Sequence, residues 1–148
     1  NLQGDEPAIE IQDIVRLNDK MLQNPAKIGT LASIIKENKN LKNENIVKVI
    51  TENALGENNF PKGISFLRMS ESVDNIYHHI GVYCYSKDSL EKFVQLSQSK
   101  NEKENRLEQL RALDNNIDIN VSLAKSSPIG VDTEEDYLAL KKIMEYKN

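Results

Sequence analysis

Hydrophobic and polar positions along the chain follow helical spacing in some stretches and strand spacing in others. Apolar side chains recur at helical spacing over residues 7–22, and Pro7 suits the first turn of that helix. The stretches with strand-like patterns are residues 30–35, 45–51, 63–69, 77–85 and 117–123. Because helices and strands are mixed along the whole chain, we expect the α/β class, and a length of 148 residues suits one domain.

Three further helices are predicted in the second half of the chain. Ser86 is a typical N-cap for a helix with Leu90, Phe93 and Val94 on one face. The other two cover residues 102–113 and 133–146. The positions predicted to face the core are Ile11, Ile14, Val15, Leu17 and Leu22 in the first helix, Leu107, Leu110 and Leu113 in the third, and Tyr137, Leu138, Leu140 and Met144 in the last.

Composition limits the classes of function. The chain has 148 residues and a formal net charge of −4, which argues against non-specific nucleic-acid binding because that needs a basic surface. The single cysteine, Cys84, excludes an internal disulfide and a multi-cysteine metal site, and it fits a reducing compartment. No stretch predicts a membrane span or a signal peptide.

Residues 77–85 form the strand with the most chemical content. One face carries Ile80, Val82 and Cys84, so we expect Cys84 to be an inert core residue. The opposite face is polar and aromatic with a glycine gap, and it carries Tyr77, His79, Gly81, Tyr83 and Tyr85. Two interpretations stay open: a ligand-binding surface, or a sheet face covered by a helix with the tyrosine hydroxyls satisfied at its edge.

Two aspartates lie beside glycines where strands are predicted to end. Asp5 belongs to the opening motif at residues 1–7, and Asp132 to residues 130–136, just before the last helix. Carboxylate pairs of this kind suit a hard cation such as Mg²⁺, which takes oxygen ligands. Each aspartate also has a structural interpretation, since turns and helix starts favour acids. A capping box of Thr133 and Asp136 accounts for the neighbouring acids but not for Asp132.

Five motifs, taken in order, resemble the C-terminal part of the 3-deoxy-manno-octulosonate cytidylyltransferase family, the CMP-Kdo synthetases. They are residues 3–7 (Gln-Gly-Asp-Glu-Pro), 43–49 (Asn-Glu-Asn-Ile-Val-Lys-Val), 79–85 (His-Ile-Gly-Val-Tyr-Cys-Tyr), 107–111 (Leu-Glu-Gln-Leu-Arg) and 130–136 (Gly-Val-Asp-Thr-Glu-Glu-Asp). The resemblance implies a three-layer sandwich of the nucleotide-diphospho-sugar-transferase type, with a mixed sheet. It also implies a reaction in which CTP and 3-deoxy-manno-octulosonate (Kdo) give CMP-Kdo and diphosphate for lipopolysaccharide synthesis, in a cytoplasmic homodimer.

The resemblance also implies roles for particular residues. Asp5 and Asp132 are expected to be catalytic as ligands of Mg²⁺. Arg68 is expected to bind the sugar carboxylate, because a guanidinium can hold a carboxylate through two hydrogen bonds. The residues expected to line the Kdo pocket are Gln3, Arg68, His79, Tyr83, Glu108 and Gln109. Taken from helical spacing alone, Glu108 and Gln109 would instead lie on the solvated side of the third helix.

Two of the chain's departures from the family pattern bear most directly on its function. The segment at Arg68 reads Phe-Leu-Arg and continues without proline, where the family usually has Phe-Ser-Arg and a proline-containing segment. The family's N-terminal half, with its phosphate-binding loop, is not among these residues, and the chain opens without methionine on what resembles a strand end. We therefore expect residues 1–148 to be the C-terminal, sugar-binding and metal-binding part of a single cytidylyltransferase domain, and to be an incomplete catalyst alone. The alternatives are a cytidylyltransferase for a sialic-acid type sugar, and a non-catalytic remnant or interaction module.

Overall fold

The computed structural model describes residues 1–2, 9–71, 74–125 and 134–145, and its middle layer is a five-stranded sheet. The strands are β1 (Ile28–Ser33), β2 (Lys48–Thr51), β3 (Gly63–Leu67), β4 (Ile76–Tyr85) and β5 (Ile119–Leu123). The helices are α1 (Ile11–Gln23), a 3₁₀ helix (Asn38–Leu41), α2 (Lys87–Phe93), α3 (Lys100–Asn105), α4 (Leu110–Asp114) and α5 (Glu134–Glu145). None of the helices in these ranges is both long and apolar enough to cross a membrane.

The sheet is mixed, which confirms the predicted α/β class. Its strand order is β3-β2-β4-β1-β5. Strands β1 and β5 run parallel, whereas β4 is antiparallel to both β1 and β2, and β2 is antiparallel to β3. Each of the five predicted strands is present, and only their ends differ from the prediction by up to three residues.

Two apolar clusters lie on opposite faces of this sheet, so the described part of the chain has three layers. The cluster on the first face joins the sheet to α2, α4 and the turn before α4, and it contains Ile28, Ala32, Val49, Phe66, Tyr83, Phe93, Leu107, Leu110, Ala112, Ile117, Ile119 and Val121. The cluster on the second face joins the sheet to α1, and it contains Leu17, Leu31, Ile80, Val82 and Ala124. Cys84 is half-buried against the second cluster, on the face that alternation predicted.

A bulge interrupts β4 beside β1. Thr30 pairs with Tyr83, but the next residue of β1 pairs with Ile80, so Gly81 and Val82 are inserted residues of β4. Such an insertion breaks the ladder locally and re-aims the side chains around it. In a regular strand, residues four apart are separated by about 13 Å. The bulge shortens β4 between its two halves, and this shortening positions the candidate site.

The buried face of helix α1 shares Leu17 with the predicted face, but its other buried positions are charged. The buried positions are Asp13, Leu17 and Lys20, at 1%, 1% and 8% exposure. The Asp13 carboxylate accepts the backbone N–H of Lys125 at 3.0 Å, and the Lys20 ammonium donates to the Asn59 carbonyl at 2.6 Å. These backbone partners offset the desolvation of the two charges. The positions wrongly predicted to face the core are Ile11, Val15 and Leu22.

The predicted continuous helix over residues 102–113 is wrong. A capping box between Ser99 and Glu102 places the start of α3 at Lys100. Arg106 ends this helix in the left-handed conformation, at φ 53°. Helix α4 starts only at Leu110. The separation matters for function because Glu108 and Gln109 lie in the turn between the two helices and not on a helix face.

Helices α2 and α5 also bury narrower stripes than predicted, because each turns only one side toward the rest of the molecule. Ser86 caps α2 as expected by accepting the N–H of Ser89. Phe93 in α2 and Leu140 in α5 are buried. Leu90 and Val94, which were predicted to share a face with Phe93, are exposed, and so are Tyr137 and Leu138, which were predicted to face the core. The Met144 side chain lies outside the described part.

The close contact between α1 and β1 gives a stability prediction. A Cβ on Gly29 would lie 2.7 Å from the Met21 sulfur and 3.0 Å from Leu17 Cδ1 and Phe60 Cζ. We expect Gly29→Ala to lower the free energy of unfolding in urea by about 1–2 kcal/mol, because three side chains must move. The matched control is Gly56→Ala, whose Cβ would have its nearest neighbour at 3.7 Å. Equal stabilities of the two variants would contradict the prediction.

Candidate functional site

Three predicted site residues, Gln3, Asp5 and Asp132, lie outside the described residues. Their roles, including the Mg²⁺ site, stay predictions. Two aspartate carboxylates are the oxygen donors that Mg²⁺ prefers, so the donor set fits this metal. Within the ranges given above, no group of three or more His, Cys, Asp or Glu side chains could hold a metal ion. The other five predicted residues are described, and the structure gives their surroundings.

His79 lies at the bulge of β4, bonded to the buried hydroxyl of Thr30. The distance from His79 Nε2 to Thr30 Oγ1 is 2.9 Å. The same Oγ1 lies 2.8 Å from the Val82 carbonyl and 3.3 Å from that of Ile80. A carbonyl can only accept, so we assign the hydroxyl hydrogen to these carbonyls and the donating role to Nε2–H. The imidazole then keeps Nδ1 as a hydrogen-bond acceptor.

The His79 ring is held in a neutral state. Burial, with a smaller contribution from the charge of His78, lowers the pKa of His79 to about 3. Phe66 meets the ring edge-on, with centroids 5.1 Å apart, and Tyr83 lies at 5.5 Å. A neutral ring of fixed tautomer can bind a hydroxyl group but carries no charge that would attract an anion at neutral pH.

Tyr83 and Tyr85 follow His79 on the same face of β4, in the direction of the turn that carries Glu108. The rings of the two tyrosines lie 6.1 Å apart. Burial raises the pKa of the Tyr83 hydroxyl well above its usual value and that of Tyr85 to about 12, and the negative charge of Glu108 adds to both shifts. Both hydroxyls therefore stay protonated at neutral pH and can donate hydrogen bonds.

Glu108 and Gln109 point in different directions from the turn between α3 and α4. The Gln109 side chain is buried at 8% exposure, contrary to the solvated position that helical spacing implies. The Glu108 side chain is 57% exposed. The Gln109 amide is therefore covered, whereas the Glu108 carboxylate is open to solvent and can accept hydrogen bonds from sugar hydroxyls.

Arg68 binds backbone carbonyls from two other segments. Its Nε donates to Asn105 at 3.1 Å, Nη1 to Glu44 at 3.0 Å and Nη2 to Arg106 at 3.2 Å. These bonds use three of the five N–H donors of a guanidinium. Arg68 therefore fixes the end of α3 immediately before Glu108, and a substrate carboxylate could take only the two remaining donors.

Lys48 supports Arg68 from inside the sheet. It is fully buried, and its ammonium donates to the carbonyl of Asn43 at 2.6 Å and to the carbonyl of Arg68 itself. Burial lowers the pKa of Lys48, and the positive charge of Arg68 lowers it further. The sequence carried a signal for this residue, a lone charge between Val47 and Val49 in an otherwise apolar strand. Thr30 gave no comparable signal.

The described site is thus a row of polar and aromatic groups on the first face of the sheet, beside the turn that starts α4. Phe93, Leu107 and Leu110 cover much of this face, as the covered-sheet interpretation expected. His79 and Tyr83 belong to this layer, and Arg68 bonds the carbonyl of Arg106 at the end of α3. His79, Tyr83 and Gln109 are only 6%, 9% and 8% exposed, so among these polar groups the Glu108 carboxylate is the one most open to a ligand.

Comparison with known proteins gives the class. The family model for cytidylyltransferases matches residues 1–119, so the chain belongs to the cytidylyltransferase family. Similar curated relatives are the 3-deoxy-manno-octulosonate cytidylyltransferases of Bartonella henselae, 38% identical over 97% of this chain and 59% of the relative, and of Azorhizobium caulinodans, 39% identical over 91% of this chain and 54% of the relative.

A solved structure agrees with these relatives. A CMP:2-keto-3-deoxy-manno-octonic acid synthetase complexed with CTP superposes with a TM-score of 0.85 at 27% identity. The superposition covers all of this chain and 61% of the other. It confirms the predicted fold type, and the chain spans 59% of the length of the Bartonella henselae relative.

Burial of His79 predicts a pH dependence of stability. In the unfolded chain its pKa returns to about 6.5, whereas in the fold it is about 3. Below 6.5 the unfolded state binds a proton that the folded state does not, so the free energy of unfolding falls as the pH falls through this window. We expect His79→Gln to reduce that slope by up to roughly 1.4 kcal/mol per pH unit.

Urea unfolding across this pH range measures the slope. The control is His78→Gln, since burial and the Lys48 charge lower the pKa of His78 as well, although less far. A His79→Gln slope equal to that of the unmodified protein would contradict the buried neutral state.

The carbonyl contacts of Arg68 predict a structural role for its guanidinium. A lysine ammonium donates from a single nitrogen and cannot reach carbonyls that now meet Nε, Nη1 and Nη2 separately, so we expect Arg68→Lys to lower the free energy of unfolding by about 1 kcal/mol. The same exchange at Arg106, whose side chain is exposed, is the control. A stability of Arg68→Lys equal to that of Arg106→Lys would show that these contacts contribute nothing.

Proposed function

We propose that the protein containing this chain transfers the cytidylyl group of CTP to Kdo, with release of diphosphate. The observation that carries this proposal is the similarity of 97% of the chain, at 38% identity, to an enzyme named for that reaction. The structural neighbour was solved with CTP, which supports the nucleotide part of the proposal. The Leu-Glu-Gln-Leu-Arg segment at residues 107–111 favours Kdo as the sugar.

The described residues would act on the sugar side of the reaction. The neutral His79 ring and the protonated Tyr83 hydroxyl offer one acceptor and one donor to the sugar hydroxyls. The Gln109 amide offers both, and the Glu108 carboxylate accepts. Arg68 has two donors left for the sugar carboxylate while it holds the turn. Together with Gln3, these groups would hold the sugar in one orientation, and such positioning lowers the barrier of a displacement reaction.

In the proposed step, the anomeric hydroxyl oxygen of Kdo forms a bond to the α-phosphorus of CTP. The bond from that phosphorus to the diphosphate oxygen breaks, and the hydroxyl proton is released. Asp5 and Asp132 would hold Mg²⁺, which supplies neutralisation of phosphate charge and orientation of the attacking oxygen when bound. The family resemblance further supports a cytoplasmic homodimer whose product is used in lipopolysaccharide synthesis.

A second candidate is a non-catalytic binding module derived from the enzyme. Two observations favour this candidate. Three N–H donors of Arg68 already bond backbone carbonyls, and helices cover much of the aromatic face of the sheet. A transferase for a sialic-acid type sugar is a third candidate within the same class. Measurements of turnover and of competition between sugars together distinguish the three candidate functions.

The test is a diphosphate-release assay with CTP and Mg²⁺, run with Kdo, with N-acetylneuraminate and with no sugar. The intact mass of the protein from its source cells, compared with 16.8 kDa for this chain, decides which polypeptide to assay. We expect turnover with Kdo only.

We also expect Asp5→Asn and Asp132→Asn each to lower kcat at least about a hundredfold, while Asp19→Asn, an exposed control, leaves it unchanged.

Each other outcome has a definite meaning. Turnover with N-acetylneuraminate would support the sialic-acid alternative. Saturable Kdo binding without turnover would support the binding module. Full activity of both aspartate variants would remove Asp5 and Asp132 from the catalytic assignment.

A further inference from the structure

Arg111 lies between a buried carboxylate and an exposed one. It belongs to α4, and its side chain is 13% exposed. Its Nε donates to Glu102 Oε2 at 2.8 Å, and its Nη2 donates to Glu102 Oε1. The guanidinium also stacks over the Phe93 ring, 4.9 Å from its centroid. A two-point ion pair and a stacked face leave a planar guanidinium little freedom to turn.

Glu102 is itself immobilised, so the whole unit is rigid. Its backbone N–H donates to the Ser99 hydroxyl, and its carboxylate accepts the Ser99 N–H, both at 3.1 Å. The Gln98 amide also donates to this carboxylate, at 3.3 Å. The Arg111 guanidinium, as the largest cause, holds the pKa of Glu102 below its usual value. The pair therefore stays ionised at neutral pH.

The same Nη2 of Arg111 also reaches Glu108. The distance to Glu108 Oε1 is 3.2 Å. Glu108 is 57% exposed and belongs to a turn, so its side chain would sample several rotamers without a fixed donor. The Phe93 ring under Arg111 lies 5.7 Å from the Tyr85 ring, which lies 6.1 Å from the Tyr83 ring, so the carboxylate bonded to Arg111 lies near the end of the aromatic row. Its charge raises the pKa of both tyrosine hydroxyls, in agreement with this position.

We infer that Arg111, held by Glu102 and Phe93, is a positioning residue that fixes the Glu108 carboxylate beside Tyr83 and Tyr85 for contact with a hydroxyl of the acidic sugar. The sugar contact rests on the proposed function, whereas the fixation of Glu108 does not. Arg111 itself touches no substrate in this scheme. Its effect on the reaction must then pass through Glu108.

A double-mutant cycle tests that dependence. We expect Arg111→Lys to raise KM for Kdo about three- to tenfold, because one ammonium cannot hold both carboxylates in the same geometry. KM for CTP should stay unchanged. In a Glu108→Gln background, Arg111→Lys should have almost no further effect on KM for Kdo. The matched control is Arg106→Lys, the same exchange at an exposed side chain five positions away.

Three kinetic outcomes would overturn the inference. They are additive effects of Arg111→Lys and Glu108→Gln, equal increases in KM for both substrates, and a lowered melting temperature with no change in KM. The last two are what a purely structural ion pair would give. Failure of the unmodified protein to turn over CTP and Kdo would instead contradict the proposed function.

A second measurement needs no activity. In protein labelled with ¹³C-glutamate, the Glu108 side-chain carboxyl signal is assigned by its disappearance in Glu108→Gln. We expect that signal to shift in Arg111→Lys and to stay in place in Arg106→Lys. An unchanged signal in Arg111→Lys would overturn the inference whether or not the protein is a transferase.

Discussion

The hydroxyl of Thr30 is the contact on which the described site depends. It is completely buried and bonds both the His79 ring and the carbonyls of Ile80 and Val82 at the bulge in β4. Buried polar groups are costly unless they are hydrogen-bonded, so this side chain stabilises the bulge. The bulge in turn brings the rings of His79 and Tyr83 within 5.5 Å, although they are four residues apart on one strand. A regular ladder would have separated them too far to act on one small ligand.

Two arginines hold the other half of the site. Arg68 bonds the carbonyls at the end of α3, and Arg111 ties the start of α4 to the cap of α3. The short turn between these helices is thus fixed at both ends, which a turn of its length could not achieve alone. Lys48 extends this support into the sheet through the Arg68 carbonyl. Backbone carbonyls, more than opposite charges, satisfy the cations around Arg68, so this part of the scaffold should be little affected by salt.

Local patterns predicted the strands well and the helix faces poorly. Strand alternation correctly separated the Ile80 face from the Tyr83 face, because the side-chain period of a strand is unaffected by what covers it. The buried face of α1 could not be predicted, since it depends on Asp13 meeting a backbone N–H 112 positions away. The break at Arg106 was missed because a non-glycine left-handed residue has no strong sequence signal.

The sequence by itself determined the α/β class, the two faces of β4 and, through five motifs, the resemblance to a cytidylyltransferase. These features depend on residue type and spacing, which are properties of the chain. Only the tertiary structure decided that Gln109 is buried, that Arg68 binds three carbonyls and that Arg111 meets Glu102 and Glu108 together. Each of these depends on which groups from other elements of the fold arrive beside a side chain. Which groups meet is decided by the free-energy cost of leaving buried polar groups without hydrogen bonds. No local pattern of residues encodes these meetings.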